Sequence, residues 1–143
     1  MAPTEPQAET VSAEVCRRVA EAFIDTFNER DADAWAAVFH PDAEFSPTAM
    51  TRKRPVYRGQ EGARAFMEDL VESGAQHRSR IRDVRLLGGD EFLLLTEILV
   101  QGEPVSSGAV VIRVADEQII AAIAYLSDES TLTALGVIPK SGD

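Results

Sequence analysis

Any reaction this chain performs has to be built from few groups, because it holds two histidines and one cysteine. His40 and Asp42 stand two residues apart in HPDAEF. An imidazole beside a carboxylate that can orient it is the pairing a general acid–base step uses. Tyr57 follows Pro55 at a loop-to-helix junction; its hydroxyl either reaches a ligand or closes the edge of the core. His40, Asp42 and Tyr57 are therefore the candidate catalytic residues, His40 by exclusion. HPDAEF also has a plain structural reading: a histidine ending a helix meets favourable terminal carbonyls, and an acid in a turn is ordinary.

Other chemistries find little support. His77 precedes an arginine-rich run and reads as exposed. Two histidines so far apart, with no HExxH and no cysteine pair, make no metal motif. Cys16 lies among apolar helix positions and reads as a small buried hydrophobe rather than a thiolate nucleophile. Being alone it forms no intrachain disulfide, and a cytoplasmic location is expected. There is no GxSxG elbow, dinucleotide fingerprint or phosphate loop. Gly88-Gly89-Asp90 joins strand to strand and is a hairpin turn. No cofactor is expected.

The elements that must position these groups follow from periodicity. Residues 1–11 form a flexible lead-in. Ser12 caps a helix in which Val15, Val19, Phe23 and Phe27 recur every four residues, ending near Asn28. A short second helix, capped by Asp31 or Asp33, sets Trp35 and Phe39 on one face and stops at Pro41. Ala43 to Ser46 reads as a short strand, and Pro47 to Arg58 as an irregular connection. Gly59 to Gly74 holds a third helix with the stripe Ala63, Phe66, Met67, Leu70 and Val71; Gly74 suits a left-handed C-terminal position. Strands are predicted at Arg78–Leu87, Glu91–Gln101, Val105–Val114 and Gln118–Ser127. Their short turns imply an antiparallel meander. Residues 12–129 make one α+β domain, and 130–143 a polar tail.

Both faces of Glu91–Gln101 carry leucine or isoleucine. The helices can cover one face only, so a homodimer packed sheet to sheet is the simplest cover for the other. Composition limits the partners further. Over 143 residues, 45% are apolar and the formal net charge is −10, which argues against a general phosphate-backbone binder. The basic run Arg52-Lys53-Arg54 reads as a solvated loop. No apolar stretch reaches membrane-spanning length, and no secretory signal is readable.

The first helix leading into FNERDADAWAAVFHPDAEFSP, then YRGQEGARAFMEDL, then a four-strand meander resembles the nuclear-transport-factor-2-like superfamily. Within it, the SnoaL-like (polyketide-cyclase-like) group is most similar, over about Ser12 to Leu126. The resemblance implies a cone-shaped, cystatin-like fold, three N-terminal helices packed on a strongly curved antiparallel sheet around a pocket, and usually a homodimer. It spans isomerases, cyclases, dehydratases, epoxide hydrolases and non-enzymatic binders, so it does not choose the function.

Ketosteroid isomerases of this fold use a tyrosine and two aspartic acids. Their register falls here on Phe23, on Ser46 or Pro47, and on Val110, none of which can carry the proton. The Asp-Arg-Asp group of the epoxide hydrolases has no counterpart either. The family register turns Leu94, Thr96, Ile98 and Val100 inward, with Gly108, Val110 and Ile112, then Ile120, Ala122, Ala124 and Leu126. Gly108, Ala122 and Ala124 either leave volume for a ligand or let the helices approach closely. Trp35, Met50, Tyr57, Phe66 and Met67 complete the expected ligand-binding set, though each also reads as core. Glu97, Arg113 and Tyr125 face the expected dimer surface, where Glu97 and Arg113 can pair. The leading expectation is a binder of a small apolar or aromatic metabolite. The alternatives are an isomerase, cyclase or dehydratase moving a proton beside a carbonyl, or a non-catalytic dimeric module.

Overall fold

The computed structural model of the chain describes residues 11–47 and 56–125. Helix α1 spans Ala13–Glu29 and starts where expected: the Ser12 hydroxyl accepts the Val15 N–H at 3.1 Å. Its buried residues, Cys16, Val19, Ala20, Phe23, Ile24 and Phe27, form one stripe. Arg30 ends it in the left-handed region at φ 58°. The cost of that conformation in a non-glycine residue is met by its side chain. The guanidinium donates to the carbonyls of Phe27, Ala75 and His77 and lies 4.7 Å from the Phe27 ring centre.

Helix α2, Ala32–Ala37, is capped by Asp31, whose carboxylate accepts the Ala34 N–H at 3.0 Å. It stops before Pro41, because Phe39 has already joined the sheet as the first residue of strand β1, Phe39–Pro47. His40 therefore lies on a strand, not at a helix end. Strand β2, Tyr57–Arg58, leads into helix α3, Gly59–Glu72. Gly74 follows α3 at φ +79°, the predicted left-handed position. Of the predicted α3 stripe, Ala63, Phe66, Met67 and Leu70 are buried and Val71 is exposed. Strands β3 (Arg78–Gly88), β4 (Glu91–Val100), β5 (Glu103–Ala115) and β6 (Gln118–Tyr125) form the antiparallel meander.

The sheet departs from the expected antiparallel cone. Its order is β2-β1-β6-β5-β4-β3, it is open with β2 and β3 as edges, and it is not strongly curled. It is also mixed, because β1 runs parallel to β6. Short turns constrain only the four meander strands. β1 comes before α3 and reaches β6 through a long crossover, which permits a parallel pair. Between Phe39 and Glu44 the β1–β6 register slips, opposite only Ile119 to Ala121. Pro41, which has no N–H to offer a ladder, sits in that irregularity.

The inner face carries the core. Trp35 is wholly buried among Phe23, Phe39, Phe45 and Phe66, with ring centres 4.9, 5.1, 5.8 and 5.6 Å away. α1 packs on β3, while α3 packs on β1 and α2 packs on α3. The predicted inward set holds for Leu94, Thr96, Ile98, Gly108, Val110, Ile112, Ala122 and Ala124, all buried. Two positions differ. A register shift between Arg113 and Val114 pairs Val114 with Ile119 and skips Ile120, so Ile119 is the core residue. Val100 is exposed at the strand end.

On the opposite face, cross-strand rows join Leu93 to Val111 to Ile123, and Leu95 to Ala109 to Tyr125. Leu93 and Leu95 are each 1% exposed and Ala109 is 0% exposed in the single chain. A sister chain is thus not required to shelter the centre of this face. Glu97 and Arg113 do not pair with each other: Glu97 takes Arg80 across β3–β4 at 2.5 Å, and Arg113 takes Asp90 at 3.2 Å. Register explains this, since Glu97 sits opposite Arg80 and Ser107, six residues from Arg113 along β5. Val11, expected in the loose lead-in, donates its N–H to the Gly89 carbonyl at 2.7 Å. The rest of that lead-in, Met50, the Arg52-Lys53-Arg54 run, Leu126 and the tail lie outside the described residues.

Candidate functional site

A cavity of about 20 Å³ lies where α1 and Trp35 face strands β3–β6. By this measure that is room for roughly one water. Phe23, Ile24 and Phe27 come from α1, Thr96 and Ile98 from β4, Gly108 and Val110 from β5, and Ala124 and Tyr125 from β6; Ser79 and Ala109 complete the lining. Among the described residues, the lining contains no carboxylate, imidazole or cationic side chain. The lining residues that carry a polar side-chain atom are Trp35, Ser79, Thr96 and Tyr125.

Three local features hold it in shape. Gly108 brings no side chain: a Cβ there would stand 2.7 Å from the Thr96 hydroxyl. Ser79 is held on edge strand β3 by Asn28, whose amide donates to the Ser79 carbonyl at 2.8 Å and accepts the Ser79 N–H at 2.9 Å. Trp35 is fixed by its ring of phenylalanines, yet its indole Nε1–H has no acceptor, the one buried side-chain N or O atom without a partner among the described residues. A buried donor left unmade costs about 1–3 kcal/mol, so its presence calls for a reason.

Of the expected ligand-binding residues, Trp35, Thr96, Ile98, Gly108, Val110 and Ala124 line the cavity. Tyr57, Phe66, Met67, Leu94, Ile112 and Ala122 pack in the core around it instead. Phe23 and Val110, where ketosteroid isomerases would carry polar groups, are both in the lining. Tyr125, expected at a dimer surface, is half-buried and also lines the cavity. Ile24, Phe27, Ser79 and Ala109 were not expected in the lining from sequence. Ser79 was findable: in Arg78-Ser79-Arg80-Ile81 the arginines mark the solvent parity and leave serine on the inner one.

The three candidate catalytic residues lie apart from this lining. The Asp42 backbone N–H donates to His40 Nδ1 at 3.0 Å, which leaves the proton of a neutral ring on Nε2, 3.4 Å from Asp116 Oδ2. Asp42 itself is exposed. The buried Tyr57 hydroxyl donates to Asp69 at 3.0 Å. The contact between His40 and Asp42 runs through the Asp42 backbone, and the carboxylate facing the imidazole comes from Asp116 in the β5–β6 turn.

Larger grooves open on the surface near Gln76 and Arg78, one of about 440 Å³ bounded by His77 and Gly102 and one of about 360 Å³ bounded by Asn28 and Arg30. Burial first, then the charge of Arg78, lowers the Arg30 guanidinium from its ordinary value; burial, then Arg30, lowers His77. Arg30 already spends its donors on three carbonyls. The first groove lies between the start of β3 and the β4–β5 turn and the second at the α1–β3 junction; the apolar cavity is the better candidate.

Comparison with known proteins places this geometry. No curated protein matches the chain. A SnoaL-like protein of unknown function from Burkholderia thailandensis shares the fold at TM-score 0.68 and 15% identity, over 83% of this chain and 99% of that one. A protein of unknown function with a cystatin-like fold from Methylobium petroleophilum gives 0.66 and 19%, over 83% and 80%. A protein with a ketosteroid isomerase-like fold from Catenulispora acidiphila, solved in complex with trimethylamine, gives 0.62 and 16%, over 85% and 93%. Residues 20–122 match the sequence profile of the SnoaL-like domain, and the chain belongs to that family.

Proposed function

We propose that the chain binds a small, uncharged, largely apolar molecule at the cavity between α1, Trp35 and strands β4–β6. The observation that supports this is the lining itself: among the described residues, apolar walls with a few polar side chains and no charge. A phenyl-sized ligand hiding roughly 150 Å² would gain about 4 kcal/mol by burial, a millimolar affinity before any hydrogen bond. Seating a ring in so small a space requires a side chain such as Ile98 to change rotamer. An isomerase, cyclase or dehydratase needs a proton carrier at the cavity. His40, Asp42 and Tyr57 stand away from its lining, which favours binding over that catalysis.

The chain has one tryptophan, so its fluorescence reports on the cavity directly. Toluene, ethylbenzene, acetophenone and cyclohexanone should each give a saturable change in Trp35 emission and raise the melting temperature. Ala124→Leu, which fills the space, should abolish both while the fold persists. No saturable response to any of the four would end this reading. A homodimer through the outer sheet face is a second reading, favoured by Ile123, which is 39% exposed beside half-buried Val111 and Tyr125. Its check is mass by light scattering, with Ile123→Lys expected to give monomers.

A further inference from the structure

We infer that the cavity selects for a hydrogen-bond acceptor and that the Trp35 indole N–H is the group that reads it. This rests on the ligand-binding reading above and adds the chemical class: neutral molecules with a carbonyl or ether oxygen on an apolar body. Trp35 is fully buried, lines the cavity, and has no acceptor for Nε1. An indole nitrogen only donates, so the missing partner must bring a lone pair. The surrounding phenyl rings offer no more than a weak N–H···π contact.

A second observation agrees. Gly108 keeps clear the space in front of the Thr96 hydroxyl, which a Cβ would meet at 2.7 Å. A hydroxyl left room in a largely apolar wall is a second donor in the same lining. A carboxylate is disfavoured, because the lining offers no cation among the described residues and burying an uncompensated charge is costly. A pure hydrocarbon is tolerated but leaves the indole unpaired. The cavity volume, about 20 Å³, suits an acceptor group, and the ligand body is seated by the side-chain rotamer change named above.

The test uses matched probes of one shape: acetophenone, ethylbenzene and benzoate, titrated by calorimetry into the full chain. Acetophenone should bind about five- to tenfold tighter than ethylbenzene, the worth of one buried hydrogen bond, and benzoate weakest. Trp35→Phe keeps an aromatic ring and removes the donor, so it should bind ethylbenzene still and lose the preference. The single indole cross-peak of isotope-labelled protein supplies a readout that needs no variant: acetophenone should move it downfield and ethylbenzene should not. Equal affinity for acetophenone and ethylbenzene, or a preference that survives Trp35→Phe, would overturn the acceptor rule and leave ligand binding standing. An indole proton that contacts only a trapped water and is unmoved by every probe would overturn it as well. Failure of all three probes to bind would sink the ligand-binding reading with it.

Discussion

Removing the Asn28 amide tests how α1 holds the edge of the sheet. Ser79 faces Ile98 in the β3–β4 ladder, and β3 is an edge strand. An edge residue presents backbone groups that no strand takes. Asn28 takes both for Ser79, donating at 2.8 Å and accepting at 2.9 Å. Its carboxamide thus stands in for a missing strand. Each such bond contributes about 0.5–1.5 kcal/mol net, so Asn28→Ala should cost about 1–3 kcal/mol. The site is part-buried and water can partly replace the amide, which sets the centre of that range near 2 kcal/mol. At about 2–4 °C per kcal/mol, the melting temperature should fall by roughly 4–8 °C. Asn28→Asp keeps the acceptor, loses the donor and sets a carboxylate against a carbonyl, so it should be no better than alanine. Urea unfolding gives the energy, and amide exchange at Ser79 gives the place. A loss under about 0.5 kcal/mol, or Ser79 exchange unchanged in Asn28→Ala, would refute the clamp.

Three further outcomes follow from single contacts. Burial and then Arg30 hold the His77 pKa below its ordinary 6.5, so the folded state takes up that proton less readily than the unfolded chain. Stability from this source is complete above pH 6.5 and declines as pH falls from there toward the lowered value. His77→Phe, which keeps the ring against Phe27 at 5.5 Å, should flatten the stability–pH slope between pH 7 and 5, and equal slopes would count against the assignment. Gly62→Ala would place a Cβ 2.8 Å from the Tyr57 backbone carbonyl carbon. Overpacking of about 1–3 kcal/mol should outweigh a helix-propensity gain of about 1 kcal/mol, and a melt at or above wild type would disprove that close approach. Cys16 is fully buried and burial raises its thiol pKa, so a disulfide reagent should label it only on unfolding; rapid labelling without denaturant would contradict the burial.

What the sequence made legible was local. The four-residue spacing of Val15, Val19, Phe23 and Phe27 places α1, and two- to three-residue turns force the meander. What it hid was non-local. Nothing near HPDAEF announces that β1 pairs in parallel with β6, a strand some eighty residues later. Pro41 reads as a helix stop, whereas Phe39 leaves the helix two residues earlier to join Ile119. Counting alternate residues gives the right wall until a skipped residue changes the parity, as between Arg113 and Val114, where Ile119 displaces Ile120. The site suffered from the same limit. Residue type suggested that Trp35 and Thr96 could face a ligand, while the orphaned indole N–H exists only once five rings have closed around it.

That closure also bears on what the chain can bind. In a curled, open-mouthed sheet the inner wall would be free along its length, and affinity would come from area. Here Trp35, Phe45 and Phe66 fill the space beneath β1, with Phe45 and Phe66 centred 4.8 Å apart. Free volume survives beside Gly108 and Ala124, which carry little or no side chain. A ligand confined there hides little surface and gains little from burial alone. Discrimination must then come from a polar contact whose absence is expensive, because an unpaired buried donor penalises the wrong occupant more than a missing methylene would. On the binding reading proposed above, a tightly packed aromatic core and a selective small pocket are consequences of the same residue, Trp35.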